Sequence, residues 1–362
     1  MPARIIAHVD MNAFFASIEA NAHPEWKNEP IVVCVFSGRT LDSGVVSSAS
    51  YDARKLGVKA GMPIAQAKSL CPLGHFLPVN HTLYGQLSEQ IFTKLFAYGD
   101  AVEMASIDEA YADLTQKAQG DYGLAEKLMR EFQQKILKEF NLGCSIGIAP
   151  NKLVAKIASD FRKPNGFTVV RPDEVQSFLD PLPVKALLGV GPKTEQLLSE
   201  KNILSIAQLR SGGASELVSL FGAARGQYFF HASRGVDESP LETNYEKQQR
   251  SSIWTLQRDT QDWNDLRELV REKSQELWDE TAAQGKFFTQ ISVVGIDIAL
   301  KQMTRSTTLH VPCVSSEQFF LEAEQLFQSL LLNAPLPLRR AGLRVGGFAS
   351  PPKQKRLNEF FG

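Results

Sequence analysis

The stretch Arg4-Ile5-Ile6-Ala7-His8-Val9-Asp10 decides the fold, because it predicts a buried strand that ends on an acidic residue. A helical pattern follows from about residue 12 to residue 21. A second predicted strand, at 102–107, runs into the pair Asp108-Glu109. Further strands and helices are predicted at 111–114, 121–140, 144–148 and 151–161. Together these elements form a β-α-β-β-α-β-like set.

Three carboxylates stand at the ends of these strands: Asp10, Asp108 and Glu109. If the two strands are neighbours, the acids meet at one edge of the sheet. Clustered carboxylates repel one another, so such a cluster is favourable only with divalent cations between them. The alternative is that each acid is an ordinary solvated residue at the end of a strand.

The rest of the chain divides into further regions. Residues 20–80 look inserted into the first set of elements, and residues 171–236 predict short helices separated by glycine-rich turns. Residues 235–252 are polar and lack periodicity, which is typical of a linker. A second α+β region is predicted from about 251 to 348.

Length and composition set outer limits on the class of protein. The 362 residues and 40.1 kDa are enough for two to three domains, and 43% hydrophobic with 22% charged residues is globular composition. We expect no membrane span, because no run of about 18 apolar residues occurs. The start lacks the apolar region of a signal peptide. The spacing of the 4 cysteines predicts neither a zinc site nor disulfides, which suits a reduced cytosol.

Charge is sorted along the second half of the chain although the net charge is only −1. Two predicted helices, at 262–282 and 315–333, hold most of the acids, whereas the strands, turns and tail hold most of the bases. If those strands form one sheet face, that face could lie along a phosphate backbone. Ordinary solubilising charge is the alternative interpretation.

Several motifs surround the three acids. In chain order they are Val9-Asp10-Met11-Asn12-Ala13-Phe14-Phe15, Tyr51-Asp52-Ala53-Arg54, Ser106-Ile107-Asp108-Glu109-Ala110-Tyr111, Ser145-Ile146-Gly147-Ile148 and Lys163-Pro164-Asn165-Gly166. With these motifs the chain resembles the Y-family translesion DNA polymerases, in the archaeal type of the DinB (DNA polymerase IV) branch. The likeness runs from residue 4 to about 348, and its most specific motifs precede residue 170.

The resemblance implies an α+β multidomain protein with the right-hand arrangement of polymerases. Its parts would be a ferredoxin-like palm, small fingers, a helical thumb with helix-hairpin-helix elements, and a C-terminal α+β little-finger domain. The implied boundaries are palm 1–20 and 80–168, fingers 21–79, thumb 169–236, linker 237–250, little finger 251–349 and a tail at 350–362.

The resemblance also assigns the catalytic centre. Asp10 and Asp108 would bridge two Mg²⁺ ions, with Mn²⁺ as a possible substitute. The Met11 carbonyl would complete the nucleotide-side ion, and Glu109 would serve the primer-side ion. A primer 3′-hydroxyl would then attack the α-phosphate of a deoxynucleoside triphosphate and release pyrophosphate.

A further group of residues would hold the nucleotide: Phe14, Phe15, Ser48, Tyr51, Arg54 and Lys163. Tyr51 and Arg54 are three positions apart, hence on one helical face, and the arginine fork suits phosphate oxygens. Phe15 matches the steric gate, a ring that leaves no room for a ribose 2′-hydroxyl. Without the resemblance, Phe14 and Phe15 would be core residues of an amphipathic helix, and Phe14 is interpreted as one.

Primer–template DNA is the implied macromolecular partner. The turn 188–194 and a weaker copy at 220–226 resemble helix-hairpin-helix elements, whose free backbone N–H groups bind phosphates without reading sequence. The alternative is a simple connection between helices. The expected DNA contacts are Gly189, Gly191, Lys193, Arg250, Arg305, Arg339, Arg340 and Arg344.

The C-terminal tail predicts a protein partner. Gln354, Leu357, Phe360 and Phe361 resemble the box that binds a PCNA-type sliding clamp, with three apolar side chains on one side of a helical turn. The alternative is a tail that folds back on its own domain. We expect a cytoplasmic monomer without a membrane partner.

The favoured prediction is therefore a template-directed DNA polymerase of low fidelity, without proofreading because no segment of exonuclease size is left over. A nucleotide cyclase with a related palm is one rival, but it would not need thumb turns, a basic C-terminal sheet or a clamp box. A non-catalytic DNA-binding scaffold is the other, and it would be expected to lose one or more of the acids.

Overall fold

The structure is a computed structural model that describes residues 4–26, 28–243 and 248–349. Its contacts divide the chain into two compact units. The first unit comprises Met1–Val35 and Val45–Asn244, and the second comprises Phe36–Gly44 and Tyr245–Gly362. Hydrophobic clusters form in each of them, so each unit has a core of its own.

Regular elements cover most of the described residues. The strands are β1 Ile6–Met11, β2 Ile31–Phe36, β3 Gly44–Ala49, β4 His75–Pro78, β5 Ala101–Met104, β6 Glu109–Asp113, β7 Cys144–Ala149, β8 Phe167–Val169, β9 Gln249–Thr260, β10 Phe287–Asp297, β11 Gln302–Thr308 and β12 Leu338–Ala349. The α-helices are α1 Phe14–Ala22, α2 Tyr51–Lys55, α3 Ile64–Leu70, α4 His81–Leu95, α5 Tyr122–Phe140, α6 Lys152–Phe161, α7 Val175–Leu179, α8 Pro192–Glu200, α9 Ile206–Ser211, α10 Ala214–Phe221, α11 Ala223–Ala232, α12 Trp263–Ala282 and α13 Ser316–Leu332.

A five-stranded sheet in the order β5-β6-β1-β7-β8 forms the centre of the first unit. Strand β1 is antiparallel to both β6 and β7, whereas β7 and β8 are parallel. All six residues of β1 are buried, because helices cover both faces. Val9 and Met11 pack towards α4 and α5, and Ile6 packs towards α6. The apolar strand predicted at the start of the chain is therefore central, and its last residues reach the end of the sheet.

Side-chain caps fix where the helices of this unit begin. Asn80, Asp121 and Asn151 accept hydrogen bonds from backbone N–H groups in the first turns of α4, α5 and α6. Such caps satisfy N–H groups that have no partner inside the helix. The helix starts are thus determined locally by the sequence, which keeps the strands and the turns between them in place.

A three-stranded sheet in the order β3-β2-β4 lies in the region that the sequence shows as an insertion. Strand β2 is parallel to β4, and its first four residues are fully buried. Helix α2 follows β3 after Ser50, whose hydroxyl accepts a hydrogen bond from Ala53 N at 3.3 Å. This places the start of α2 directly after a strand.

Three aromatic rings stack near the end of α1. The Trp26 indole lies between the imidazoles of His23 and His75, with ring centroids 3.8 Å and 4.1 Å away. Glu25 contacts His23, and Glu29 contacts His75. Because His23 ends α1 and His75 begins β4, this stack joins the helix to the three-stranded sheet.

Short helices α7 to α11 occupy residues 175–232, and this stretch has no strand among the described residues. Their buried side chains, such as Leu198, Leu209 and Phe229, continue the cluster that packs on α6. The prediction of short helices with glycine-rich turns for this segment is confirmed by these elements.

The second unit contains an antiparallel sheet in the order β11-β10-β12-β9. Alternate residues of its strands, including Val293, Leu343 and Val345, pack against α12 and α13. The remaining residues point to the other face of the sheet, as the period of two requires. One face of this sheet is therefore covered by helices.

The segment predicted as a linker begins with residues that are bound to the first unit. Asp237 accepts a hydrogen bond from Leu153 N, Arg4 donates to Ser239 O, and Glu242 N donates to Glu103. Strand β9 begins at Gln249, two residues before the predicted start of the second α+β region at 251. The short strands β4 and β8 have no counterpart in the sequence prediction, since three or four residues give too little periodicity.

Candidate active site

The three predicted acids meet at the end of the central sheet. Asp10 on β1 lies directly opposite Glu109 on β6. Met11 N donates to Asp108 O at 2.9 Å, which holds the turn before β6 against the end of β1. Residues almost a hundred positions apart are thus brought to one place by strand pairing.

Each acid already has a partner within the chain. Lys163 Nζ lies 2.6 Å from Asp10 Oδ2, and Lys156 Nζ lies 2.7 Å from Glu109 Oε2. The Ser106 hydroxyl donates to Asp108 Oδ1 at 2.6 Å. In the described part of the chain, no group of three His, Cys, Asp or Glu side chains is arranged around a common point as metal ligands would be.

The pKa values of Asp10 and Glu109 are shifted in opposite directions. Burial raises the pKa of Asp10 to about 7, and the neighbouring Glu109 adds to this, although Lys163 opposes it. Burial also opposes the charge of Glu109, but contacts with His8 and Lys156 hold its pKa well below the usual range. The pKa values of a buried acid and a half-buried acid beside it shift apart in this way because the two do not readily ionise together.

These residues fit a divalent cation. Carboxylate and carbonyl oxygens are the ligands that Mg²⁺ and similar hard ions prefer. Ammonium groups of Lys163 and Lys156 rest on the carboxylates of Asp10 and Glu109, so both already attract positive charge.

His8 is a neighbour of this cluster that the sequence analysis did not single out. Its side chain is fully buried, and Nδ1 lies 2.7 Å from Ser159 Oγ. Nε2 has no hydrogen-bond partner and faces Glu109 Oε2 at 3.7 Å. Burial lowers the pKa of His8. A neutral ring thus backs the carboxylate of Glu109, and only the fold, which pairs positions 8 and 159, reveals it.

A cavity of about 280 Å³ opens beside the acids. All the residues predicted to hold metal or nucleotide line it, and the full lining is Asp10, Met11, Ala13, Phe14, Phe15, Ser47, Ser48, Tyr51, Arg54, Ala60, Asp108, Glu109 and Lys163. One wall therefore comes from the central sheet and α1, and another comes from β3 and α2.

Tyr51 and Arg54 share the first turns of α2, as their spacing predicts. The Arg54 guanidinium lies 5.1 Å from the centre of the Tyr51 ring, and its Nε donates to Ala49 O at 2.9 Å. Burial raises the pKa of the Tyr51 hydroxyl. The two side chains thus present a neutral hydroxyl and a fixed cation to the same cavity.

Phe14 and Phe15 differ in environment although they are adjacent. Phe14 is 2% exposed and belongs to the core. The Phe15 ring stacks on Tyr84, with centroids 4.4 Å apart and an angle of 18°. The Tyr84 hydroxyl donates to Glu19 at 2.5 Å. Tyr84 therefore backs the predicted gate, and sequence spacing gave no signal for it.

The glycine-rich turn before α8 is held by α11, which begins within the second glycine-rich segment. Gly189 has φ of +82°, a region that other residues rarely adopt, and Gly191 caps α8. Arg225 donates to Gly189 O at 3.3 Å, and Tyr228 donates to Leu188 O at 3.0 Å. Lys193 is exposed in the first turn of α8.

The predicted DNA-binding arginines of the second unit do not share one face of the sheet. Arg344 lies opposite Ser292 and Ser251 on the face without helices, and Arg340 lies on the same face. Arg305 pairs in register with the core residue Val293, and Arg250 with the core residue Val345. Arg250 also contacts Gln284 and Glu280 of α12 and the turn after it.

The expectation of a single basic face is therefore corrected by the strand register. Side chains alternate between the two faces of a strand, so positions 250 and 305 lie on the helix-covered side. Arg339 lies where the pairing of β12 shifts in register. The predicted clamp residues Gln354, Leu357, Phe360 and Phe361 lie outside the described residues. None of the described helices combines the length and apolar character needed to cross a membrane.

Comparison with known families matches three parts of the chain. Residues 9–160 match the impB/mucB/samB family, and residues 247–358 match the C-terminal domain of that family. Residues 185–237 match the thumb domain of DNA polymerase-iota. The three acids and all of the cavity lining except Lys163 fall within the first match.

Individual relatives extend over the whole chain. A DNA polymerase IV of Methanosarcina acetivorans is 37% identical, with 99% of this chain and 100% of the relative covered. A DNA polymerase IV of Nitrosopumilus maritimus is 35% identical, with 100% of both covered.

Solved structures are similar over the same span. A Y-family DNA polymerase chimera of Dbh and Dpo4 has a TM-score of 0.90 at 33% identity, with 96% of this chain and 100% of that chain covered. An insertion ternary complex of Dbh DNA polymerase has a TM-score of 0.69 at the same identity and coverage. With full-length relatives above 30% identity, this chain belongs to the Y-family DNA polymerases, in the DNA polymerase IV (DinB) branch.

Proposed function

We propose that this chain, a DNA-directed DNA polymerase for translesion synthesis, performs nucleotidyl transfer in the cavity beside Asp10, Asp108 and Glu109. The observation that carries the proposal is the pairing of Asp10 with Glu109 across β1 and β6. The backbone O of Asp108 accepts a hydrogen bond from Met11 N, which follows Asp10. These acids line the same cavity as the cations Arg54 and Lys163.

The family uses divalent metal ions in catalysis, and the oxygen ligands of this site support Mg²⁺, with Mn²⁺ as a substitute. Asp10, Asp108, Glu109 and the Met11 carbonyl would hold two ions. When bound, such ions make an attacking hydroxyl more acidic and neutralise a leaving pyrophosphate. The protein's share is to place the carboxylates at fixed positions on paired strands, so that a primer 3′-hydroxyl and an α-phosphate meet there.

The triphosphate would lie against α2 and Lys163. Arg54 offers a planar fork of donors, Lys163 a compact charge, and Tyr51 a hydroxyl that stays protonated because burial raises its pKa. Ser48 lines the same wall and supplies a further donor. These groups bind and orient the nucleotide, so their loss should weaken nucleotide binding more than the chemical step.

Phe15 would act as the steric gate against ribonucleotides. Its ring lines the cavity and is backed by Tyr84, so it has little freedom to move away from an extra hydroxyl. Selection by such a clash disfavours the wrong sugar without binding the right one more tightly. Phe14, which is buried in the core, supports the helix that carries the gate.

For the whole chain we propose the right-hand arrangement of its family, with a palm at 1–20 and 80–168, fingers at 21–79, a thumb at 169–236 and a little finger at 251–349. Backbone N–H groups around Gly189 and Gly191, with Lys193, would bind the DNA backbone. Arg339, Arg340 and Arg344 would bind it from the little finger. Contacts from Arg250 and Arg305 stay predictions of the resemblance.

The tail would bind a PCNA-type sliding clamp through Gln354, Leu357, Phe360 and Phe361. The support for this proposal is the sequence alone: a glutamine followed at fixed spacing by three apolar side chains in a polar segment. We further propose a monomer that works in the cytoplasm, where the free cysteines of the described chain stay reduced.

A primer–template extension assay with Mg²⁺ tests the catalytic proposal. Asp108→Ala should reduce extension by about three orders of magnitude, since ligands of catalytic metals contribute several kcal/mol to the barrier. Asp173→Ala, at an exposed acid of the short helix Pro172–Glu174, is the matched control and should extend like the parent.

The same assay distinguishes the rival functions. A parent protein that makes cyclic nucleotide would support a cyclase, and a parent that binds primer–template tightly without extending it would support a scaffold. Full activity of Asp108→Ala would reject the assigned catalytic centre.

A further inference from the structure

We propose that Asn12 is a positioning residue for nucleotide binding, because its side-chain amide fixes the loop that carries Lys163. The inference rests on the proposed role of Lys163 as a triphosphate contact. Asn12 does not line the cavity, and none of the motifs that suggest catalytic roles assigns it one. Its effect would reach the nucleotide only through the loop.

Asn12 is almost fully buried, at 5% exposure, between the end of β1 and the start of α1. Its Oδ1 accepts a hydrogen bond from Asn165 N at 2.7 Å, and its Nδ2 donates to Ser145 Oγ at 2.9 Å. Its backbone N donates to Gly143 O, and its backbone O accepts from Ser17 Oγ. Each polar group of this residue thus has a partner, and the partners lie on α1, at the start of β7 and in the loop after α6.

Ser145 extends the same network to the next residue of the loop. Its side chain is buried on β7, and Oγ accepts from Gly166 N at 3.3 Å. Asn12 and Ser145 therefore bind two successive N–H groups, those of Asn165 and Gly166. The hydrogen bond from Asn165 N is part-buried, and a bond of this kind contributes about 0.5–1.5 kcal/mol, so loss of the amide should loosen the loop.

Close packing limits the other positions that this loop can take. A Cβ at Gly166 would lie 2.2 Å from Arg162 O, so the chain returns onto the end of α6 with no space for a side chain. Gly166 O accepts from Ile146 N at 3.0 Å on β7. The loop is thus held on one side by β7 and on the other by the end of α6.

Lys163 lies two residues before the N–H group that Asn12 binds. Its ammonium is placed between Asp10 Oδ2 at 2.6 Å and Asp160 Oδ1 at 2.7 Å, and it lines the cavity. A displaced loop would move the base of this side chain. The expected consequence is weaker binding of the triphosphate, with a smaller effect on the reaction once the nucleotide is bound.

The test is single-nucleotide primer extension with Mg²⁺, in which KM for the nucleotide and kcat are measured separately. Asn12→Ala should raise KM by about tenfold and change kcat by less than about threefold. Asn12→Asp keeps an acceptor for Asn165 N, and the Ser145 hydroxyl can turn to donate to it, so KM should return to within about threefold of the parent value.

A double-mutant cycle shows whether the effect passes through Lys163. If Asn12 acts by placing that ammonium, Asn12→Ala should add little to the KM of Lys163→Ala. Asn21→Ala is the matched control, because Asn21 lies on α1 and donates to the carbonyls of Phe140 and Asn141 outside the cavity. It should leave both constants at the parent values.

Three results would overturn the proposal: a fall in kcat with KM unchanged, an additive effect in the Lys163→Ala background, or no recovery in Asn12→Asp. Should Asn12→Ala not fold, Ser145→Ala takes its place, and an unchanged KM in that variant would overturn the proposal equally. A parent that does not extend primers would instead reject the proposed polymerase site, so the two failures are distinguishable.

Discussion

Two adjacent phenylalanines illustrate how much depends on the environment of one residue. Both rings border the cavity, but Phe14 is buried in the core, whereas Phe15 is more exposed and stacks on Tyr84. We predict that Phe15→Ala increases ribonucleotide incorporation relative to deoxynucleotide incorporation by about tenfold or more, since about 1.4 kcal/mol of lost steric penalty corresponds to one decade. Primer extension with single ribonucleotides measures this ratio.

Phe14→Ala provides the contrast at the neighbouring position. Because its ring is buried, its loss should lower the free energy of unfolding by about 3–5 kcal/mol, measured by urea denaturation. Sugar discrimination by the folded fraction should stay near the parent value. Unchanged discrimination in Phe15→Ala would show that another group excludes the ribose.

At this scale the sequence predicts residues that line the cavity but not those that support them. Asp10, Asp108 and Glu109 could be identified because each follows a recognisable strand pattern. His8, Asn12 and Tyr84 could not, because their partners lie on elements distant in sequence. The bond from His8 to Ser159, for example, spans 151 positions. Hydrogen bonds of this kind leave no periodic signal.

Among the elements, strand β12 decides which arginines face away from the helices. Arg344 is on the open face of the sheet, whereas Arg250 is on the helix-covered face and contacts Gln284. We predict that Arg344→Ala weakens binding of duplex DNA and lowers the slope of log K against log salt by about 1, as loss of one phosphate contact requires.

Arg271→Ala is the matched control for that measurement. Arg271 lies on α12 and its Nη1 contacts Glu317 Oε2 at 2.7 Å, so the slope should be unchanged within error while stability falls slightly. Equal slopes in parent and Arg344→Ala would place the phosphate contacts elsewhere. Fluorescence anisotropy with labelled primer–template at several salt concentrations gives both slopes.

Strands and helices of ordinary length could be predicted from the sequence. Which face of the sheet each side chain of a strand occupies could not be predicted reliably. Strand β11, which carries Arg305, lies at Gln302–Thr308 within the region predicted to be α+β. The face on which a side chain lies depends on the residue that it pairs with in the neighbouring strand. This pairing forms only in the folded sheet. The charge pattern alone therefore overestimated the basic face.

For the whole molecule, the cysteines offer a measure of native structure. Cys34, Cys71 and Cys144 lie in the first unit and Cys313 in the second, and all four are buried. Burial raises the pKa of Cys34 to about 11 and of Cys144 to about 12, and it also raises the pKa values of the other two. Little thiolate is therefore present at pH 8.

We predict that the native protein reacts with a thiol reagent such as dithionitrobenzoate far more slowly than the unfolded chain, which should release four equivalents at once. In Cys313→Ser, the remaining three thiols report unfolding of the first unit alone. Rapid release of one equivalent from the native protein would contradict the assigned burial.

The tail is the other feature that belongs to this scale. Deleting residues 351–362 should abolish stimulation by a sliding clamp and spare basal extension, because the residues proposed to be catalytic all precede position 164. Primer extension with and without a PCNA-type clamp measures both. Equal loss of the two activities would favour a tail that supports its own domain.

The ring stack at the end of α1 also has a practical consequence. Trp26 emission depends on the two imidazoles against its faces, so any motion that separates α1 from β4 will alter its brightness. The other tryptophans, Trp254, Trp263 and Trp278, all lie in the second unit and can be changed to phenylalanine. With the resulting single-tryptophan protein, stopped-flow fluorescence would show directly whether nucleotide addition moves α1 relative to β4, without an attached dye.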